Sequence, residues 1–136
     1  MTLTLTTVNI GAPDAGALAD FYQLLLGWEV RAREPHWVLL GNPDGGVWLS
    51  FQYEENHVPP TWPAGPGDQQ MMLHLEIRVD DLAAAVRHAV ACGATVADHQ
   101  PQDDVRVCLD PAGHPFCLWL GEEPAGTAEE PAGTAE

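Results

Sequence analysis

His74-Leu75-Glu76-Ile77-Arg78-Val79-Asp80-Asp81 alternates polar and apolar side chains and then ends on two aspartates, and its reading decides the fold. Successive strand residues point to opposite faces, so Leu73, Leu75, Ile77 and Val79 fall on one side and His74, Glu76 and Arg78 on the other. Asp80 and Asp81 can cap a helix, and Leu82, Val86, Ala89 and Val90 then recur at helical spacing until Gly93 stops them. The phrase is strand, capped helix, glycine stop. It occurs a second time near the N-terminus. There Thr7-Val8-Asn9-Ile10-Gly11-Ala12-Pro13-Asp14 leads into Ala17, Leu18, Phe21, Leu24 and Leu25, ended by Gly27. The alternation changes phase at Thr6-Thr7, which predicts a bulge there or a first few residues packed elsewhere.

Each phrase is followed by three short β-like runs. In the first half they are Trp28–Arg33, Trp37–Leu40 and Val47–Tyr53, with Asn42-Pro43-Asp44-Gly45-Gly46 as the turn before the last. In the second half they are Ala94–His99, Val105–Leu109 and Phe116–Leu120, with Asp110-Pro111-Ala112-Gly113 as the matching turn. Each half therefore reads βαβββ. Residues 54–70, with Pro59, Pro60, Pro63 and Pro66, read as a linker between module one (about 3–53) and module two (about 71–121). A module of about 55 residues buries too little alone, so the two should share one core within a single domain spanning 1–121. Residues 122–136 read EEPAGTA twice and then Glu, with no large apolar side chain, and are expected to be a disordered acidic tail.

The whole chain has 136 residues, 20 acidic side chains, 5 arginines and no lysine, for a formal charge of −15. Absence of lysine excludes a P-loop and Schiff-base chemistry. In residues 1–121, 15 carboxylates face 5 arginines, a formal −10, so the body is acidic apart from its tail. A nucleic-acid partner is disfavoured because a phosphate backbone calls for a basic patch. No apolar run approaches the ~20 residues of a membrane span, and Met1–Ile10 lacks the basic start of a signal peptide. The expected location is the cytoplasm, with Cys92, Cys108 and Cys117 as reduced thiols.

Taken in order, Pro13-Asp14, Phe21-Tyr22, Leu26-Gly27-Trp28, the stretch His74–Asp81, and Asp110-Pro111-Ala112-Gly113-His114-Pro115-Phe116-Cys117-Leu118 resemble the vicinal oxygen chelate superfamily. That superfamily contains glyoxalases, bleomycin-resistance proteins and extradiol dioxygenases. The resemblance implies an α+β fold in which two βαβββ modules form a curved, cup-like mixed sheet with helices on the outer face. It also implies a homodimer and a small molecule in the cup, often with a divalent metal. The four places that carry metal ligands in such proteins map to Thr7, Leu49, His74 and Cys117, provided Gly45 is matched to Gly113. A slip of one residue would put Ser50 in place of Leu49, and a slip of three would bring Gln52 near. Leucine cannot ligate and threonine is a poor ligand, so His74 and Cys117 are the remaining, weak metal candidates. No cofactor is expected, and a divalent metal is disfavoured.

The expected ligand-binding face consists of Thr7, Asn9, Leu49, Phe51, His74, Glu76, Cys117 and Trp119. An aromatic wall with carboxylates would select an aromatic or cationic small molecule. Trp28 is expected in the core, while Trp37, Trp48 and Trp62, the last in the proline-rich linker, are expected against helices or a second subunit. Two classes of function stay open. One is a binding protein of the bleomycin-resistance type without a catalytic metal. The other is an enzyme: a metal-dependent lyase, isomerase or dioxygenase, or a metal-free acid/base catalyst using His74 and Glu76.

Overall fold

A computed structural model of the chain describes residues 1–121, and the acidic repeat at 122–136 lies outside the described residues. The elements in chain order are β1 (Thr7–Ala12), α1 (Ala15–Leu26), β2 (Glu29–Glu34), β3 (Trp37–Gly41) and β4 (Trp48–Tyr53) in the first module. The second module has β5 (Leu75–Val79), α2 (Leu82–Cys92), β6 (Thr95–Val96), β7 (Val105–Leu109) and β8 (Pro115–Leu120). Both helices begin as their sequences require. Asp14 accepts from the Ala17 N–H and Asp81 from the Ala84 N–H, each at 3.0 Å, satisfying donors that a helix start leaves unpaired. Gly27 ends α1 with φ of 72°, a left-handed conformation that a side chain would resist.

Each module forms its own four-stranded mixed sheet, in the orders β1-β4-β3-β2 and β5-β8-β7-β6. The first strand of each lies parallel to the last, and the remaining pairs are antiparallel. The repeat read from sequence is therefore a repeat of topology. One strand falls short of its expected length: β6 covers only Thr95–Val96 instead of Ala94–His99. The Gln100 side chain explains this. Its amide donates to the Ala97 and Val107 carbonyls and accepts from the Val107 N–H at 2.8–2.9 Å, taking over the pairing that a longer strand would make. The alternation break at Thr6-Thr7 marks a boundary, since β1 starts at Thr7 and residues 1–6 precede the sheet as an exposed arm.

The two modules share one core. Leu18, Phe21 and Tyr22 of α1 meet Phe51 of the first sheet and Phe116 and Leu118 of the second, all at most 2% exposed. Tyr22 stacks on Phe51 with ring centroids 5.6 Å apart and meets Phe116 edge-on at 6.0 Å. Burying rings of this size contributes about 2–3 kcal/mol each. Polar ties complete the junction: the Tyr22 hydroxyl donates to Asp110 at 2.7 Å, and His114 Nε2 lies 2.8 Å from the Gly11 carbonyl. Because both sheets turn their apolar faces to this shared core, each polar face looks away from it. Among the described residues, no helix is long and apolar enough to cross a membrane.

Candidate functional site

The parity of β5 works as its sequence requires. Leu75, Ile77 and Val79 pack against the core, whereas His74 and Glu76 face a cavity of about 400 Å³. Leu73, expected on the apolar side, precedes the strand and is 64% exposed. The same alternation in β8 buries Phe116 and Leu118 and sends Cys117 and Trp119 into the cavity, where Val105 and Val107 of β7 complete the floor. The opposite wall comes from outside the sheet: Trp62 and Met71 of the linker, and Pro101 and Gln102 of the segment that Gln100 stitches to β7.

The polar groups form one small cluster. His74 Nε2 lies 3.2 Å from Glu76 Oε2, and Glu76 pairs in register with Cys117 across β5 and β8. Burial, and secondarily the Glu76 charge, pushes the Cys117 thiol pKa up, so the sulfur is held as a neutral thiol and not as a nucleophilic thiolate. Cys108, on the core side of β7, is pushed up to about 11, chiefly by burial. The site offers an imidazole, a carboxylate and a thiol among apolar and aromatic surfaces. It can hold a flat apolar body and balance one positive charge.

In the first module the expected face needs a correction. Leu49 and Phe51 are 5% and 0% exposed and point into the core, so they do not belong to the ligand-binding face. The cause is turn length. Residues 42–47 separate β3 from β4, one more than the 110–114 that separate β7 from β8, and Gly45 and Gly46 both have positive φ where the second turn has only Gly113. Gly46, not Gly45, is therefore the counterpart of Gly113, and Ser50 is the counterpart of Cys117. The pairing Asn9↔Ser50 matches Glu76↔Cys117, with Asn9 donating to the Ser50 hydroxyl at 2.6 Å. Trp48, expected against helices or a second subunit, is half-buried at the start of β4. It lines a second open cavity of about 530 Å³ together with Thr7, Leu39 and the arm residues Thr4–Thr6, and the Arg31 guanidinium sits 5.1 Å above its ring.

The two cavities share no lining residue. His74, Glu76, Cys117 and Trp119 are thus brought together, while Thr7 lines the other cavity and Asn9 lies on that other sheet. Trp62, expected against helices or a second subunit, lines the cavity instead, and a linker carries no periodicity that would have placed it. Its only signal was a large aromatic among prolines.

The donor set at the corrected positions is Thr7, Ser50, His74 and Cys117. Thr7 and Ser50 offer only neutral hydroxyls, and the Ser50 oxygen already accepts from Asn9, so His74 and Cys117 are left as the stronger donors, two where three are needed. Among the described residues, no group of three or more His, Cys, Asp or Glu side chains is placed to hold an ion. These residues do not fit a catalytic divalent metal, which generally takes three protein ligands.

Comparison with known proteins gives a match to the sequence profile of the glyoxalase-like domain over residues 7–119. Among solved structures, the chain is similar to a glyoxalase/bleomycin resistance protein/dioxygenase family enzyme from Burkholderia phytofirmans PsJN, with 22% identity, 85% of this chain and 97% of that one covered, and a TM-score of 0.65. It is similar to TnmS3, an antibiotic binding protein from Streptomyces sp. CB03234, at 19% identity, 90% and 98% coverage and a TM-score of 0.60. It is also similar to the oxidase ChaP-H2, at 20% identity, 90% and 96% coverage and a TM-score of 0.62. At these identities the structures agree in fold alone. No curated protein matches the sequence.

Proposed function

Because the chain belongs to the glyoxalase-like domain family of the vicinal oxygen chelate superfamily, we propose that it binds a small planar organic ligand, neutral or cationic, without a catalytic metal, and acts by sequestering or sensing it. The observation that carries this reading is the cavity of about 400 Å³ lined by Trp62, Trp119, Val105 and Val107 with Glu76 at its polar corner. That volume suits a small molecule. The formal −10 of residues 1–121 favours a cation over an anion. The antibiotic-binding relative TnmS3 is consistent with a binding role on this fold. We place the protein in the cytoplasm, where its three free thiols stay reduced.

We further infer a homodimer, with each complete site drawing on two copies. The two half-sites face away from a common core within one chain, which leaves Thr7 and Asn9 apart from His74 and Glu76. Strands β1 and β5 are sheet edges. Each is preceded by exposed apolar residues, Leu3 and Leu5 at 88% and 71%, and Met72 and Leu73 at 87% and 64%. Edges and patches of this kind favour pairing with another copy.

A second reading rests on the 3.2 Å contact between His74 and Glu76, which suits a metal-free acid/base pair. Titrating the protein with the planar cation thioflavin T and with the anionic dye 8-anilinonaphthalene-1-sulfonate, alongside metal analysis of protein purified without chelator, tests these alternatives. The expected result is saturable binding of the cation, weakened at least fivefold by Trp119→Ala and by Glu76→Gln. One tightly held ion per chain, or dye binding by both variants equal to that of the wild type, would overturn the proposal. For any substrate found later, turnover abolished by His74→Ala would favour the acid/base reading, and retained turnover would remove it.

A further inference from the structure

The cavity has one wall that the sheets do not hold in place. Its floor belongs to β5, β7 and β8, and the rim at Pro101–Gln102 is fixed by the three hydrogen bonds of Gln100. Trp62, by contrast, sits on a linker loop that is closed on itself. The Thr61 N–H donates to the Gln69 carbonyl at 2.9 Å, the Asp68 N–H to the Gly65 carbonyl at 3.1 Å, and the Gly65 N–H to Asp68 Oδ2 at 2.9 Å. The linker is anchored just before this loop. His57 Nε2 is 2.8 Å from the Ala112 carbonyl, and Pro59 packs so closely on Gly113 that a Cβ there would stand 2.7 Å from the proline.

From Thr61 to Gln70 the loop is tied to the body chiefly through Trp62. The Trp62 indole N–H donates to the His99 carbonyl at 3.2 Å, at an exposed position, and its ring lies 5.9 Å from the His99 ring. An exposed hydrogen bond contributes only about 0.5–1.5 kcal/mol net. A loop that carries its own internal bonds can swing as a unit when so weak a latch opens, without giving up backbone pairing elsewhere.

We propose that Trp62 is the movable aromatic wall of the cavity: its loop lifts from His99 to admit a planar ligand and closes with the indole against the ligand's face. The proposal rests on the reading of this cavity as the ligand site, and it adds the residue that sets dwell time and the preference for flat molecules. Loss of a static wall would raise the dissociation rate and leave association nearly unchanged. A lid changes the rates of both binding and release, because it stands in the path of both.

Stopped-flow measurement with thioflavin T on the full chain tests this, using Trp62→Ala, Trp62→Phe and a variant in which Trp62–Asp68 are replaced by Asn-Gly, a two-residue hairpin turn joining the paired Thr61 and Gln69. Association and dissociation rates should both rise, dissociation by at least tenfold, in Trp62→Ala and in the shortened loop, with Trp62→Phe between them and wild type. Backbone amide exchange of residues 61–70 in the wild-type protein should slow when the dye is bound. An association rate that stays at the wild-type value, whatever dissociation does, or exchange at residues 61–70 that does not slow with dye, would overturn the lid. Trp119→Ala and Glu76→Gln separate the two levels. If they weaken dye binding while the loop variants match wild type, the lid alone fails, and if they leave binding untouched, the site reading fails and the lid with it.

Discussion

Replacing Tyr22 with Phe isolates the polar tie between the modules, because it deletes one hydroxyl and keeps the ring. Tyr22 and Asp110 are 1% and 4% exposed, and the hydroxyl donates to Asp110 Oδ2 at 2.7 Å. The other carboxyl oxygen accepts from the Ala112 and His114 N–H groups at 2.9 and 3.0 Å. In Tyr22→Phe, Oδ2 loses the Tyr22 hydroxyl as donor inside the protein, at a cost of about 1–3 kcal/mol. The stack on Phe51 at 5.6 Å survives, so packing is not the source of the loss. At this chain length the melting temperature should fall about 3–5 °C per kcal/mol.

The loss should depend on pH. Burial raises the Asp110 pKa, while His114, the Tyr22 hydroxyl and the backbone N–H groups partly offset it. A carboxyl with a raised folded pKa contributes stability that is present below its unfolded pKa and lost as pH rises through the folded one. Removing the hydroxyl removes one of the lowering influences and moves the folded pKa up further. Tyr22→Phe should therefore be most destabilising at neutral pH, and less so as acid protonates Asp110 in both proteins. Urea unfolding at pH 4 and pH 7.5 measures this. A loss below about 0.5 kcal/mol at pH 7.5, or one equal at both values, would refute the reasoning.

Gly113→Ala should cost about 2–4 kcal/mol, since φ is 91° there and the new methyl would meet Pro59, and a shift in the denaturation midpoint reads it. Asp81→Ala removes the cap of α2 and should cost about 1 kcal/mol by the same assay, with Asp81→Asn recovering most of it. Glu76→Gln removes a charge that helps hold the Cys117 thiol protonated, so in a Cys92→Ala background the alkylation rate with iodoacetamide should rise at a lower pH than in its parent. An unmoved pH profile would mean that Glu76 does not act on the thiol.

Features governed by neighbours in the chain were legible in the sequence. Alternation around His74 separated the core side of β5 from its cavity side, because strand stereochemistry imposes a period of two whatever the partner. Asp14, Asp81, Gly27 and Gly93 marked the helix ends, because a cap is satisfied within one turn. The doubled βαβββ layout followed from those local signals.

Matching one half to the other was harder, and it failed by one residue at Leu49. The alternation in β4 was read correctly, but which of its two faces meets the core depends on where the Asn42–Val47 turn closes and how β4 pairs with β1 and β3. Gly45 and Gly46 offered two equivalent choices. Phe51 went with Leu49 for the same reason.

By itself the sequence determined the two modules, their caps and the alternation within the strands, all set by contacts within a few residues. Only the tertiary structure decided that Ser50 stands opposite Asn9, that the cavities of the two modules share no lining residue, and that Trp62 lines the cavity of the second module. These depend on pairing register and on contacts between residues as distant in sequence as Trp62 and His99, which no local period encodes.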